Sequence, residues 1–149
     1  MADFDLTQSE ADALIAMQKV RGDELVYDYP DAGGKVTIGL VSRDERERFL
    51  LDISRGRIDL AKRTYQTRAK QCIPLVRLDL GGPPHTNPDA EVVTAPHIHI
   101  YREGFGDKWA QTLPSDRFPV AGDAWTLRES FYSFCSIVDP PRIERGLFT

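Results

Sequence analysis

The chain has three histidines, and all of them fall between positions 85 and 99. His97 and His99 stand two residues apart in Pro96-His97-Ile98-His99-Ile100-Tyr101-Arg102. Read as a strand, this segment puts His97, His99 and Tyr101 on one face and Ile98 and Ile100 on the other. Glu103 follows on the polar face if the strand continues. Upstream, Ile73 to Leu80 reads as a strand with Val76, Leu78 and Leu80 on one face and Arg77 and Asp79 on the other. If the two strands are antiparallel neighbours, Arg77, Asp79, His97, His99 and Tyr101 form one patch. The loop between the strands then brings His85 close.

These residue types support two chemistries. Histidine titrates near neutral pH, so one ring can act as base and the other as acid on a phosphodiester. Arg77 or Lys108 would stabilise the phosphorane charge, Asp79 or Glu103 would fix a histidine tautomer, and Tyr101 would position a base. Alternatively, His-x-His with Asp79, Asp89, Glu103 or His85 has the ligand types of an open zinc or manganese site in a hydrolase. Arg77 on the same face opposes a cation. The expectation is therefore a site without metal or other cofactor, with His97, His99, Arg77, Tyr101 and Asp79 as catalytic residues. His85, Glu103, Lys108 and Phe105 are the expected substrate-binding residues. Gly104-Phe105-Gly106-Asp107-Lys108-Trp109 reads as an adaptable loop in which Phe105 and Trp109 stack on a base. Trp109 packed in the core is the competing reading. The alternative to any site is a solvated sheet face with cross-strand charge pairs.

The elements that must hold this patch can be read from the remaining pattern. Thr7 to Lys19 predicts a helix: Thr7 and Glu10 form a capping box, and Leu6, Ala13, Leu14, Met17 and Val20 give an apolar stripe. Arg21-Gly22-Asp23 reads as its stop. Strands are expected at Glu24 to Tyr29 and at Lys35 to Ser42, with a turn at Asp31-Ala32-Gly33-Gly34. Arg46 to Ser54 and Arg57 to Lys70 flank Arg55-Gly56 as a hairpin, with a helix from Ile58 to Ala69 as the competing assignment. Pro74 suggests an edge or a bulge. The Gly81–Ala95 loop is long and carries an Asn87-Pro88-Asp89 turn; long loops in small domains are often functional. Asp123 caps a second helix from Ala124 to about Val138, with Leu127, Phe131, Phe134 and Cys135 as its buried stripe and Pro140-Pro141 as its end. The expected fold is α+β: a mainly antiparallel sheet of about five to six strands with an N-terminal and a C-terminal helix, in one domain over residues 1–149.

Composition sets the outer limits. The chain has 149 residues, is 41% hydrophobic and 28% charged, and carries a net charge of −4. That suits a globular domain and opposes a generally basic nucleic-acid coat, while leaving room for a pocket that grips one phosphate. Cys72 and Cys135 lack CxxC partners and read as buried free thiols. No apolar run approaches the ~20 residues of a membrane span, and the start lacks a signal-peptide pattern, so a cytoplasmic protein without membrane contact is expected.

Arg77-Leu78-Asp79, His85-Thr86-Asn87-Pro88-Asp89, Pro96-His97-Ile98-His99-Ile100-Tyr101-Arg102-Glu103-Gly104 and Asp107-Lys108-Trp109-Ala110 resemble the signature of a family of uncharacterised small proteins of bacteria, phages and other mobile elements. The likeness covers most of the chain, including Gly146-Leu147-Phe148. Where that family usually has glycine after Asn-Pro-Asp, this chain has Ala90. The spacing of Arg-x-Asp, Pro-His and Pro-His-x-His also resembles, more distantly, the TumE-like toxins of toxin–antitoxin systems. That resemblance implies an RNA-attacking toxin and a partner antitoxin. The expected function is an RNA-cleaving, toxin-like enzyme acting on RNA or another phosphodiester. The alternative is a non-catalytic phage-type inhibitor of a host defence complex, whose acidic balance suits a basic channel. A homodimer is compatible with either.

Overall fold

The computed structural model describes residues 5–119 and 123–145; Gly146-Leu147-Phe148 lies outside them. Its elements are α1 (Gln8–Ala16), β1 (Lys19–Arg21), β2 (Val26–Asp28), β3 (Lys35–Ser42), β4 (Arg48–Arg55), β5 (Arg63–Ala69), β6 (Ile73–Leu80), β7 (His85–Thr86), β8 (Val92–Val93), β9 (His97–Ile100), β10 (Ala110–Thr112), α2 (Ala124–Phe134), β11 (Ile137–Asp139) and β12 (Arg142–Glu144). Eight strands form one sheet in the order β10-β9-β6-β5-β4-β3-β1-β11, while β12 pairs with β2 and β7 with β8.

This corrects the expected mainly antiparallel sheet of about five to six strands: the sheet has eight strands and is mixed. β11 joins it parallel to β1, and β12 runs parallel to β2. The sequence pattern assigns β11 to the end of the C-terminal helix, and β12 lies just beyond Pro140-Pro141. The helix stops earlier, at Phe134, where Cys135 caps it and Ser136 takes a φ of +58°. The pattern also extends the first helix to Lys19, which instead begins β1. The buried Lys19 ammonium donates to the carbonyls of Leu14, Ile15, Met17 and Cys135 at 2.8 to 3.0 Å. These carbonyls include ones that helix ends leave unpaired, so one cation ties the ends of both helices together. Burial lowers the Lys19 pKa to about 8.

The hairpin expected at Arg55-Gly56 forms with a longer connection, residues 56–62, and β5 begins only at Arg63, but elsewhere local chemistry decides as expected. The Thr7–Glu10 capping box starts α1. Residues 63–69 form a strand and not a helix, because Tyr65, Thr67 and Ala69 are buried in alternation with Thr64, Gln66 and Arg68. The β5–β6 register shifts between Thr67 and Arg68, opposite Val76 and Pro74, which is the irregularity that Pro74 suggested. Cys135 is buried but Cys72 is exposed, since it sits in the turn after β5 and not in a strand. Among the described residues no helix is long and apolar enough to cross a membrane.

The two faces of the sheet differ in chemistry. Ile38, Leu51, Thr67 and Val76 follow one another across four strands, as do Ile53, Tyr65, Leu78 and Ile98. This face packs with Ala11 and Leu14 of α1 and Leu127 and Phe131 of α2 into the core. The opposite face carries two polar rows. One is Thr37, Asp52, Gln66, Arg77, His99; the other is Ser54, Thr64, Asp79, His97.

Candidate functional site

The register of β6 and β9 builds the site. They are antiparallel neighbours, with Arg77 opposite His99 and Asp79 opposite His97. Cross-strand partners share a face, so the four side chains meet because of backbone pairing alone. The Asp79 Oδ2 atom is the hub: His97 Nε2 lies 3.0 Å away, His99 Nε2 3.2 Å and Arg77 Nε 3.3 Å. Thr64 donates its hydroxyl to the other carboxylate oxygen at 3.0 Å. Burial alone would raise the Asp79 pKa. The His99 contact, the Arg77 charge and the Thr64 hydroxyl outweigh it and hold the carboxyl well below its usual range.

His99 has partners for either protonation state. Its Nδ1 lies 2.8 Å from the Asp107 carbonyl oxygen, which can only accept, so Nδ1 carries a proton. Its Nε2 lies 3.0 Å from Arg77 Nη2 and 3.2 Å from Asp79 Oδ2. When the ring is neutral, Nε2 accepts from Arg77. When it is protonated, Nε2–H donates to Asp79. The ring can take up a proton and release it without losing a partner. His97 differs: Nε2 faces Asp79, while Nδ1 is buried without a hydrogen-bond partner among the described residues.

His85 reaches the cluster from β7. Its ring centroid is 4.6 Å from that of His99 and 6.2 Å from that of His97. Its Nε2 donates to the Lys108 carbonyl at 2.7 Å, so Nδ1 carries the lone pair of the neutral ring. The long loop is fastened to the sheet edge by Asn87. The Asn87 side-chain amide donates to the Ala110 carbonyl at 2.9 Å and its oxygen accepts from the Ala110 N–H at 2.8 Å, as a neighbouring strand would. The Asn-Pro-Asp turn ends at Ala90 with φ +73°, the left-handed conformation that glycine takes at least cost.

A cavity of about 340 Å³ opens over these groups, lined by Thr64, Arg77, Asp79, His85, His97 and His99 together with Lys62, Gly81, Pro83 and Pro84. Arg77 also pairs with the Asp107 carboxylate at 3.0 Å. Sequence reasoning misses Lys62 because it lies in the distant β4–β5 connection. It arrives through close loop packing, and a Cβ on Gly82 would stand 3.2 Å from its side chain. Thr64 is legible in principle, since strand alternation puts it on the polar face.

Four expected site residues stand outside this cavity. The Tyr101 hydroxyl is buried, donating to the Leu6 carbonyl and accepting from the Leu6 N–H, both at 2.8 Å, because β9 ends at Ile100 and alternation stops there. Glu103 accepts from the Gln8 N–H at 2.7 Å and so caps α1. Lys108 contributes its carbonyl to His85, and its side chain does not line the cavity. Phe105 packs edge-on against Trp109, over whose ring Arg102 lies at 4.1 Å. Asp79, His97 and His99 also offer three metal-ligand atoms within 4.8 Å of one another.

A family model matches residues 6–137, and its family is described as a family of unknown function (DUF6978). No curated protein and no solved structure matches the chain.

Proposed function

The chain belongs to this family of unknown function, and from the geometry above we propose that it cleaves RNA by acid–base catalysis at the cavity floored by His97 and His99. One observation carries the reading: His99 Nε2 sits between Arg77 and Asp79, with a partner for each protonation state. The Asp107 carboxylate on Arg77 occupies the place of a phosphate oxygen. An incoming phosphodiester takes that place, Arg77 turns to it, and Lys62 adds a second positive charge from the cavity wall. The sugar 2′-hydroxyl attacks the neighbouring phosphorus while His99 Nε2 accepts its proton. The bond from phosphorus to the 5′ oxygen breaks, and a protonated His85 delivers its Nδ1 proton to that oxygen. The products are a 2′,3′-cyclic phosphate and a free 5′-hydroxyl. His97 is a positioning residue that orients Asp79.

In a cell this is a toxin-like activity on cytoplasmic RNA, restrained by an antitoxin partner. The test is incubation of purified protein with RNA in excess chelator, with end-group analysis. Cyclic-phosphate ends that disappear in His99→Ala support the reading. Uncut RNA under conditions where the protein is folded overturns it, in favour of a binding protein without catalysis.

A further inference from the structure

Arg77 shares the His99 lone pair with another potential occupant. His97 Nε2 and His99 Nε2 lie 3.0 and 3.2 Å from the same Asp79 oxygen, and the three residues offer ligand atoms within 4.8 Å of one another. An ion with bonds of about 2.0–2.2 Å would draw these atoms together around it. Two imidazoles and one carboxylate form a donor set for zinc and neighbouring divalent ions, with the cavity side open for a fourth ligand. The outer support is also present: His99 Nδ1 donates to the Asp107 carbonyl at 2.8 Å, which aims the Nε2 lone pair inward. A guanidinium and a metal ion cannot both use that lone pair, and their positive charges repel.

We propose that Asp79, His97 and His99 form an inhibitory site for zinc or a similar divalent ion, which binds only when Arg77 leaves His99. The ion removes the proton acceptor and displaces the phosphate clamp in one event. The inhibitory role rests on the acid–base reading; ion binding does not.

The test titrates chelator-treated, chelator-free protein with Co²⁺, read by visible absorption, with Zn²⁺ as competitor. Wild type is expected to bind one ion per chain, and Asp79→Ala and His99→Ala to lose it. Arg77→Ala and Arg77→Lys are expected to bind about tenfold tighter or more, the scale on which outer contacts tune metal sites. The lysine variant keeps the charge, so tighter binding there assigns the effect to the vacated lone pair. Arg77 is half-buried, and these variants stay informative even if a buried histidine variant fails to fold. RNA cleavage should fall in proportion to Zn²⁺ occupancy. Absence of stoichiometric binding by wild type and both Arg77 variants overturns the metal site and leaves metal-free cleavage standing. Unchanged affinity in both Arg77 variants overturns the exclusion. Cleavage that rises with occupancy overturns the inhibitory role. RNA left uncut with and without metal sinks the acid–base reading, and the inhibitory role with it, while Co²⁺ binding still decides the ion site.

Discussion

Asp52 and Asp79 are two carboxylates on the polar face of one sheet, and they make an internal comparison. Asp52 accepts from Thr37 at 2.7 Å, from Gln66 at 3.0 Å, and from Arg68 through a fork at 2.6 and 2.9 Å. Asp79 repeats the plan with Thr64 and Arg77. Both carboxyls are held below their usual pKa range against the opposing effect of burial, by hydrogen bonds and a neighbouring arginine. The difference lies in the remaining donors. Around Asp52 these are the Gln66 amide, which does not exchange a proton near neutral pH, and Lys35 Nζ at 3.9 Å. Around Asp79 two imidazoles take that place. The Asp52 side chain is 6% exposed and the Asp79 side chain 16%, beneath an open cavity. An arginine-clamped carboxylate on a sheet is therefore an ordinary structural device. Exchangeable protons beside a cavity turn the second copy into a candidate site.

The sharpest break between the two is kinetic. His99→Ala is expected to reduce RNA cleavage by on the order of 10² to 10⁴, the usual contribution of a positioned acid–base group. Asp52→Asn should leave the rate within about twofold, because Asp52 holds no reacting group. Cleavage rates of variants with matched thermal melts check both.

Stability should invert that order. Asp52→Ala leaves Arg68 facing a mostly buried site without its counter-ion and should cost on the order of 3 kcal/mol in urea unfolding. Asp79→Ala should cost less, about 1–2 kcal/mol, because Arg77 keeps Asp107 as a partner. Equal losses would remove the distinction between a structural cluster and a working one.

The acid limb of stability should report both clusters together. Each carboxyl has its folded pKa depressed, so below the unfolded value near ~3.9 the unfolded chain binds more protons. The stabilisation is present at neutral pH and is lost as pH falls through about 4 and below. Asp52→Asn and Asp79→Asn should each flatten that limb in pH-dependent melts. A limb unchanged in both variants would contradict the shared clamp.

Sequence and structure agree best where backbone periodicity alone sets the result. Strand alternation and antiparallel pairing suffice to put Arg77, Asp79, His97 and His99 on one face, and the register then sets Arg77 opposite His99 and Asp79 opposite His97. They fail where an element ends early. Tyr101 lies one residue beyond β9, and its hydroxyl holds Leu6. Lys62 enters the cavity from a loop whose position depends on tertiary packing, which no local pattern encodes. The parallel strands β11 and β12 are hidden by a helix that stops at Phe134, where Ser136 turns left-handed without a glycine to announce it. Asp52 carries no motif, and its resemblance to Asp79 emerges only from the register.

The smallest expected effect lies outside both clusters. Ala90→Gly should stabilise by roughly 0.5–1 kcal/mol, since an alanine at φ +73° carries a steric penalty that glycine avoids. It should leave cleavage unchanged, separating support of the His85 loop from the chemistry beneath it.

The most direct measurement compares cleavage of one labelled RNA in excess chelator by wild type, His99→Ala and Asp52→Asn, each shown to be folded. Cyclic-phosphate products are expected at similar rates from wild type and Asp52→Asn, with a loss of at least ~100-fold in His99→Ala. Equal rates in wild type and His99→Ala, or no cleavage by any of the three, would contradict that expectation.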